Sequence, residues 1–305
     1  MRRWKPYPSS GRWLALVLAV VFTGGSIAFA MLALRHFNGA PTTWTINLEF
    51  YLQFLAMLTM LICAGSAWMR FIQVQTLWYG LDRNAVYIAS LGNRELVPLD
   101  QIRRLDFGVP VDKLPQALFQ GIGCFWGDTT SNKEIPVMVR STLPVSRCLF
   151  ILTARGTYAI SPSEIEAFVQ DLEQRSNLGA TKRLIPETEY GPWFNTPFWS
   201  DNSSTLLLGL ALFINVLAVG LLAWYYPTLQ ATIQMHFDAI GDVSELRPRY
   251  QALFLPLAAL GVTAVNLLGA MLCFRFEKLV ARLLQGASVV VQILFAVAVL
   301  MIVRA

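Results

Sequence analysis

Five long apolar runs without charged residues constrain this chain more than any other feature of its sequence. A helix needs about 20 mostly apolar residues to cross the hydrocarbon core of a bilayer. The runs are Trp13–Leu34, Phe50–Met69, Ser204–Tyr225, Tyr250–Cys273 and Gly286–Val303. Because 55% of all residues are hydrophobic and only 14% are charged, a soluble globular or a disordered chain is excluded. The runs therefore predict a membrane protein with about five transmembrane helices.

The first run allows two interpretations. Basic residues precede it, and Ala28-Phe29-Ala30 is similar to a signal-peptide cleavage site. The apolar run continues to Leu34, however, which is longer than the core of a signal peptide. The length favours an uncleaved helix. We expect four regions: an N-terminal transmembrane hairpin (1–70), a water-facing domain (71–180), an interfacial linker (181–203) and a C-terminal transmembrane region (204–305).

Basic residues predict the orientation of the spans. With the N-terminus inside, 20 of the 24 Lys and Arg residues fall on the cytoplasmic side. The outer side then has only Arg35, Arg247, Arg249 and Arg304. Because Lys and Arg accumulate in cytoplasmic loops, we expect the N-terminus and residues 71–180 in the cytoplasm and the C-terminus outside. The net charge of +5 follows from this orientation, and no nucleic-acid partner is expected.

The region after the second run changes to short β-rich stretches separated by turn residues. Short β-rich stretches separated by Asn, Asp and Gly are typical of antiparallel strands, because these residues supply the backbone angles of tight turns. The expected strands are Val74–Tyr79, Ala85–Leu91, Arg94–Leu99, Ile102–Phe107, Cys124–Trp126, Ile135–Arg140, Arg147–Thr153 and Thr157–Ile160. The pattern predicts a meander of antiparallel strands.

One amphipathic helix is expected to follow these strands. Ser161 is suited to cap it, Pro162 to take its first position, and Glu164 to complete a capping box. Apolar residues then recur at the spacing of one buried helix face: Ile165, Phe168, Val169 and Leu172. A strand meander closed by one helix indicates a small open barrel with the helix at one end.

Two motifs in this region are similar to those of a known domain family: a middle strand that contains Gly-x-Gly, and a Ser-Pro sequence after the last strand. The residues are Gly121-Ile122-Gly123, then Arg147–Ala159, and finally Ile160-Ser161-Pro162 with Phe168. Over roughly Gln75–Arg175 the chain resembles the bacterial pleckstrin-homology-like (PH) domain. The resemblance implies an α+β fold, an antiparallel open barrel capped by a C-terminal helix. It also implies a bacterial inner (plasma) membrane protein, because such domains commonly sit beside transmembrane helices without an assigned activity.

Adjacent basic pairs are the candidate lipid or partner contacts of this domain. They are Arg103 with Arg104, and Lys182 with Arg183 in the linker. Basic pairs near anionic lipid strengthen membrane binding, while a solvated surface is the ordinary role of such pairs. The lipid-binding relatives in eukaryotes use a basic cluster in the first strand loop, where this chain has Asp82-Arg83-Asn84. We therefore expect protein interaction or self-association before a specific lipid site.

The expected outer loop, 226–249, contains a second motif. His236, Phe237, Asp238 and Gly241 resemble the extracytoplasmic loop of a membrane domain of unknown function that also occurs in toxin-immunity proteins. The likeness covers roughly Tyr225–Leu272. A divalent-ion or pH-sensing site is one interpretation, but no spacing here is diagnostic of metal ligands. A local turn is favoured, and no metal is expected.

The sequence contains few other residues or motifs that indicate catalysis, transport or ligand binding. No hydrolase, nucleotide-binding or zinc motif occurs, so we expect no catalytic residue, no cofactor and no enzyme. No predicted span has an internal charge, which disfavours pumps and coupled transporters. The favoured function is a membrane scaffold or regulatory protein that presents a PH-like interaction domain at the cytoplasmic face. An extracellular-ligand sensor or immunity-type protein is the alternative, and a transporter subunit is a weaker one.

Overall fold

Six α-helices and twelve strands make up the described part of the computed structural model. The structure describes residues 1–108, 111–112, 114, 118–131, 135–179, 181–182, 184–185, 188–189, 197–237, 243–274 and 276–304. The helices are α1 (Gly11–Leu34), α2 (Leu48–Thr76), α3 (Ile165–Asn177), α4 (Asn202–Tyr225), α5 (Phe254–Cys273) and α6 (Lys278–Arg304). The strands are β1 (Arg2–Trp4), β2 (Trp78–Leu81), β3 (Ala85–Ser90), β4 (Asn93–Pro98), β5 (Ile102–Phe107), β6 (Phe125–Thr130), β7 (Pro136–Ser141), β8 (Leu149–Thr153), β9 (Thr157–Ile160), β10 (Thr188–Glu189), β11 (Thr232–Phe237) and β12 (Val243–Pro248).

Every helix except α3 is long and apolar enough to cross a membrane. The five membrane helices predicted from the apolar runs are therefore confirmed, and the chain is a multi-pass membrane protein. The last of them is longer than predicted, because α6 begins at Lys278 rather than at Gly286. Its first turns include Arg282, which pairs with Asp201, and Gln285, which is buried. Polar residues extend this helix because they have partners there.

The chain divides into two compact units. The first contains Met1–Gly24 and Met60–Asn195, and the second contains Gly25–Thr59 and Thr196–Ala305. The first unit has the β-domain and the second has most of the membrane helices.

The first unit contains two five-stranded sheets. One has the order β1-β2-β3-β4-β10 and is antiparallel throughout, and the other has the order β5-β8-β9-β7-β6. Residues of both sheets and of α3 share one core, which includes Tyr79, Ile88, Leu149, Ile160 and Phe168. The predicted β-domain capped by a C-terminal helix is therefore confirmed.

Two details of the predicted barrel are wrong. The strands do not form a continuous antiparallel meander, because β9 pairs with β7 in parallel from Val137↔Thr157 to Arg140↔Ile160. Since β8 pairs with β5, its hairpin partner β9 takes the place beside β7. The first strand also starts late. Helix α2 continues to Thr76, so only the end of the predicted strand Val74–Tyr79 is extended.

The predicted helix start is also wrong. Helix α3 begins at Ile165, and Glu164 precedes it without forming a side-chain capping bond. Ser161 is fully buried and its hydroxyl oxygen accepts a hydrogen bond from the Thr142 amide (2.9 Å). A tertiary partner has taken the oxygen that a capping box requires. The predicted apolar face is present, because Phe168 and Leu172 are buried.

The second unit is a helical bundle with polar side chains in its interior. Asn215 of α4 donates through Nδ2 to the Pro256 carbonyl of α5 (2.8 Å) and to Oε1 of Gln292 of α6 (3.0 Å). Gln292 in turn donates to the Thr263 hydroxyl of α5 (2.9 Å). Asn215, Gln292 and Thr263 are all buried. These bonds tie three membrane helices together where water is absent.

Candidate membrane-proximal site

The N-terminal residues belong to the β-domain. Strand β1 pairs with β2, with Arg2 opposite Leu81 and Trp4 opposite Tyr79. Trp4 is 5% exposed and packs edge-on against Phe168 of α3, with ring centroids 5.7 Å apart. The sequence prediction assigned these residues only to a basic flank of the first span. A single aromatic residue among polar ones was the only signal of a strand.

The Ser-Pro segment holds the residues that follow β1. The Tyr7 amide donates to the Ser161 carbonyl (2.7 Å), and the Ser163 amide donates to the Lys5 carbonyl (3.0 Å). The Thr142 hydroxyl donates to the Tyr7 carbonyl (2.7 Å). We call residues 2–7, with their bonds to β2 and to residues 161–163, the N-terminal clamp. The clamp attaches the start of the chain, and hence the start of α1, to the β-domain.

The buried Tyr79 forms hydrogen bonds with the Ser-Pro segment that holds the clamp. The Tyr79 hydroxyl donates to the Arg140 carbonyl (2.8 Å) and accepts from the Ser161 amide (3.1 Å). Burial raises the pKa of Tyr79, because a phenolate has no water there. Tyr79 therefore stays protonated and keeps donating at every physiological pH.

The Gly-x-Gly motif has a steric function at the membrane end of the domain. Gly123 has φ +81°, and a Cβ there would lie 3.1 Å from Val74 Cγ2 and 3.2 Å from the Arg12 amide nitrogen. A Cβ on Gly11 would in turn collide with the Gly123 amide. A glycine is required here both for the left-handed backbone and for the close approach. The loop thereby contacts the first turn of α1 and the last turns of α2.

Two further contacts hold this loop, one at the middle of α1 and one near the end of α2. Phe119 stacks on Phe22 of α1, with ring centroids 5.7 Å apart. Arg70 of α2 is 8% exposed and donates to the Leu118 carbonyl (3.4 Å) and to Oε1 of Gln73 (3.1 Å). Together with the clamp, the loop attaches the β-domain to α1 and α2.

An open groove lies between the clamp and the end of α2. Its volume is about 720 Å³. It is lined by Arg3, Trp4, Lys5, Pro6, Tyr7, Pro8, Ser9, Arg12, Val74, Gln75, Leu77, Trp78 and Ser163. Three of these residues are basic and none is acidic. We call it the basic groove.

An ion cluster around the buried Arg140 joins the two sheets. The Arg140 guanidinium of β7 contacts Glu95 of β4 (2.7 Å) and Asp128 of β6 (2.9 Å), and lies over the Trp126 ring. Burial lowers the pKa of Arg140, but Glu95 and Asp128 outweigh this effect and raise the pKa overall. The cluster is a fixed charge network rather than a titrating site, because the arginine stays charged.

The structure separates the predicted basic contacts. Arg103 and Arg104 are exposed on β5, and Arg104 forms an ion pair with Asp106. Lys182 is exposed, while Arg183 lies outside the described residues. The first strand loop is occupied by the linker, because Asn84 Oδ1 accepts hydrogen bonds from the Thr181 and Lys182 amides (2.9 and 3.1 Å).

The structure describes only part of the motif predicted for the loop at 226–249. His236 and Phe237 end β11, which pairs with β12 in a two-stranded hairpin with register shifts around His236. Asp238 and Gly241 lie outside the described residues. No metal-binding group of three His, Cys, Asp or Glu residues occurs in the described part of the chain. The roles predicted for this motif stay predictions.

Comparison with known proteins identifies one segment of the chain, the β-domain with its C-terminal helix. The family model described as "Bacterial PH domain" matches residues 77–176. Neither a curated protein nor a solved structure matches the chain. The matched range begins after α2 and contains β2 to β9 and all but the last residue of α3. The clamp lies outside that range, yet it supplies β1 to its sheet. The chain is therefore a multi-pass membrane protein that contains a bacterial PH domain at residues 77–176.

Proposed function

We propose that the protein is a membrane-anchored scaffold or regulatory protein whose PH domain recruits a protein partner or a second copy at the cytoplasmic face. The N-terminal clamp is the observation that carries this proposal. It holds the domain against the ends of α1 and α2, so the domain and the N-terminus share one side of the membrane. The basic N-terminal flank favours the cytoplasm for that side. The proposal includes no catalytic activity and no cofactor.

The surface that we assign to the partner is the open edge of β5. Among the described residues β5 pairs only with β8, so its other edge has unpaired backbone groups. Phe107 at its end is 60% exposed, and Arg103 near its start is exposed as well. An unprotected strand edge accepts a further strand from another chain. The exposed phenylalanine adds apolar contact area to such a pairing.

Photocrosslinking in native membranes tests this assignment. A photoreactive phenylalanine analogue is placed at position 107 of the full chain, with position 178 as the control because Leu178 is similarly exposed (62%). We expect a crosslinked product from position 107 and none from position 178. Mass spectrometry of that product then distinguishes a second copy from another protein. Equal products from both positions, or none from either, would contradict the assignment.

The outer hairpin supports a second candidate function, a sensor of an extracellular ligand. Ile233 of β11 is 6% exposed and belongs to an apolar cluster with Phe50, Leu222 and Ala252 of the second unit. The anchored strand β11 leads to His236, the residue that carries the candidate ligand motif. If His236→Ala left the phenotype of a deletion strain fully complemented, this candidate would lose its motif.

A further inference from the structure

We infer that the basic groove binds the phosphate-bearing headgroup of an anionic phospholipid. This inference concerns different residues from the β5 edge and does not depend on the partner proposed there. The chemistry recognised is a phosphate ester, and the position of the groove commits it to a lipid rather than to a soluble phosphate.

The charge of the groove is uncompensated. Arg3, Lys5 and Arg12 line it, and none of them forms an ion pair with a described residue. Elsewhere in the same unit, by contrast, Arg104, Arg140 and Arg175 all pair with carboxylates. Three cations around one hollow without an anion repel one another, which an anionic ligand would relieve.

Two of the guanidinium groups are held in position by aromatic rings. Arg3 lies over the Trp78 ring at 4.6 Å, and Arg12 lies over the Trp13 ring at 5.1 Å. Stacking of this kind restrains a long side chain while leaving its N–H donors available. The groove is thus prepared to donate several hydrogen bonds to one phosphate.

Hydroxyl groups also line the groove. The hydroxyls of Ser9 and Ser163 on the lining add further polar groups.

The groove lies at the headgroup level of the bilayer. Arg12 is the second residue of α1, and Val74 and Gln75 belong to the last turn of α2. Both helices are membrane spans, so the groove opens at the ends where they leave the hydrocarbon. Trp78 and Tyr7 supply the amphipathic rings that favour this layer. A volume of about 720 Å³ accommodates a headgroup with its glycerol.

Native mass spectrometry of the purified full-length protein tests the inference. The delipidated protein in an uncharged detergent is titrated with phosphatidylglycerol or with phosphatidylcholine of the same acyl chains. A triple variant, Arg3→Gln with Lys5→Gln and Arg12→Gln, removes the groove charges. A control triple, Arg83→Gln with Arg147→Gln and Arg155→Gln, removes three exposed charges elsewhere in the domain.

We expect the wild-type protein to retain phosphatidylglycerol in preference to phosphatidylcholine. Each basic side chain near an anionic surface contributes about fivefold in affinity, so the groove triple should bind phosphatidylglycerol at least about tenfold more weakly. The control triple should stay within about twofold of wild type. An unchanged unfolding temperature shows that the groove triple is folded. If the triple is not folded, the single variant Lys5→Gln is used instead, and its affinity for phosphatidylglycerol should fall about fivefold.

Three results would overturn the inference. The groove triple could keep the wild-type lipid preference, or the control triple could lose it to the same extent. Glycerol 3-phosphate could displace phosphatidylglycerol at equal concentration, which would identify a site for soluble phosphate esters instead. None of these results bears on crosslinking at position 107, so failure here is distinguishable from failure of the proposed partner surface.

Discussion

The two units of this protein use different polar chemistry to hold their interiors together. The PH-domain unit buries a charge pair, with Arg140 (8% exposed) contacting Glu95 (13% exposed). The helical unit joins its spans through neutral groups, with Asn215 bonded to Gln292 and Gln292 to Thr263. Placing a charged side chain in hydrocarbon costs several kcal/mol of free energy, whereas a side-chain amide can form its hydrogen bonds with a neighbouring helix. The comparison indicates that the solvent around each unit decides which polar groups it can bury.

The largest expected effect is the loss of Arg140. Its side chain is 8% exposed, and replacing it by Met leaves Glu95 buried at 13% exposure without a counter-charge. We expect the variant Arg140→Met to lose about 3–5 kcal/mol of domain stability. Pulse proteolysis of the full-length protein in urea measures this loss. The matched control is Arg155→Met on the exposed surface, and a similar loss in both variants would show that the buried cluster has no special role.

The neutral network of the helical unit should contribute less per bond. We expect Asn215→Leu to lower bundle stability by about 1 kcal/mol, since membrane hydrogen bonds average near that value. A double-mutant cycle with Gln292→Leu isolates the side-chain pair, and its coupling should be about 0.6 kcal/mol. Steric trapping in bicelles measures both quantities. A loss as large as that of Arg140→Met would break the contrast between the units.

Asp201 is a charged residue that lies just before a membrane helix, so it combines an ion pair with a helix cap. It precedes α4, caps the Ser204 amide (3.0 Å) and pairs with Arg282 (2.6 Å). We expect Asp201→Ala to lose about 1 kcal/mol, and Asp201→Asn to lose less because an amide oxygen still caps the helix. Thermal unfolding of the two variants gives the order, and equal losses would assign the whole effect to the ion pair.

The same carboxylate gives a pH dependence with a definite sign. The hydrogen bonds from Arg282, then those from Ser204, hold the pKa of Asp201 well below its usual range. A depressed pKa means that the stabilisation is complete above the unfolded-state pKa of about 3.9 and is lost as the pH falls through the folded value. Unfolding temperatures of wild type and Asp201→Asn should therefore differ at pH 7 and converge in acid. A constant difference down to pH 3 would contradict this.

The smallest effect is expected on the surface of the PH-domain unit. The Arg104 side chain is 69% exposed and pairs with Asp106, whose side chain is 31% exposed. Exposed pairs contribute little because water and salt screen them. The variant Arg104→Gln should leave the urea midpoint unchanged within error. A clear shift would show that charge, rather than burial of charge, stabilises this unit.

The sequence predicted the elements whose signals are local. Apolar length identified the five membrane helices, and β-rich stretches between turn residues identified β5 and β9 with the bounds that the structure shows. It could not predict the parallel pairing of β9 with β7 or the buried role of Ser161, because both depend on partners distant in sequence. The same holds for the candidate site. Arg3, Lys5 and Arg12 were recognised as a basic flank, but the groove exists only because Trp4 pairs beside Tyr79.

The central claim, that the PH domain is held at the cytoplasmic face, is tested most directly by cysteine labelling in intact cells. The four native cysteines are replaced by alanine, and a single cysteine is introduced at Ser146 on the domain or at Thr42 between α1 and α2, both exposed. We predict that a membrane-impermeant maleimide labels Thr42→Cys in intact cells and labels Ser146→Cys only after the membrane is opened. Labelling of Ser146→Cys in intact cells would contradict the account.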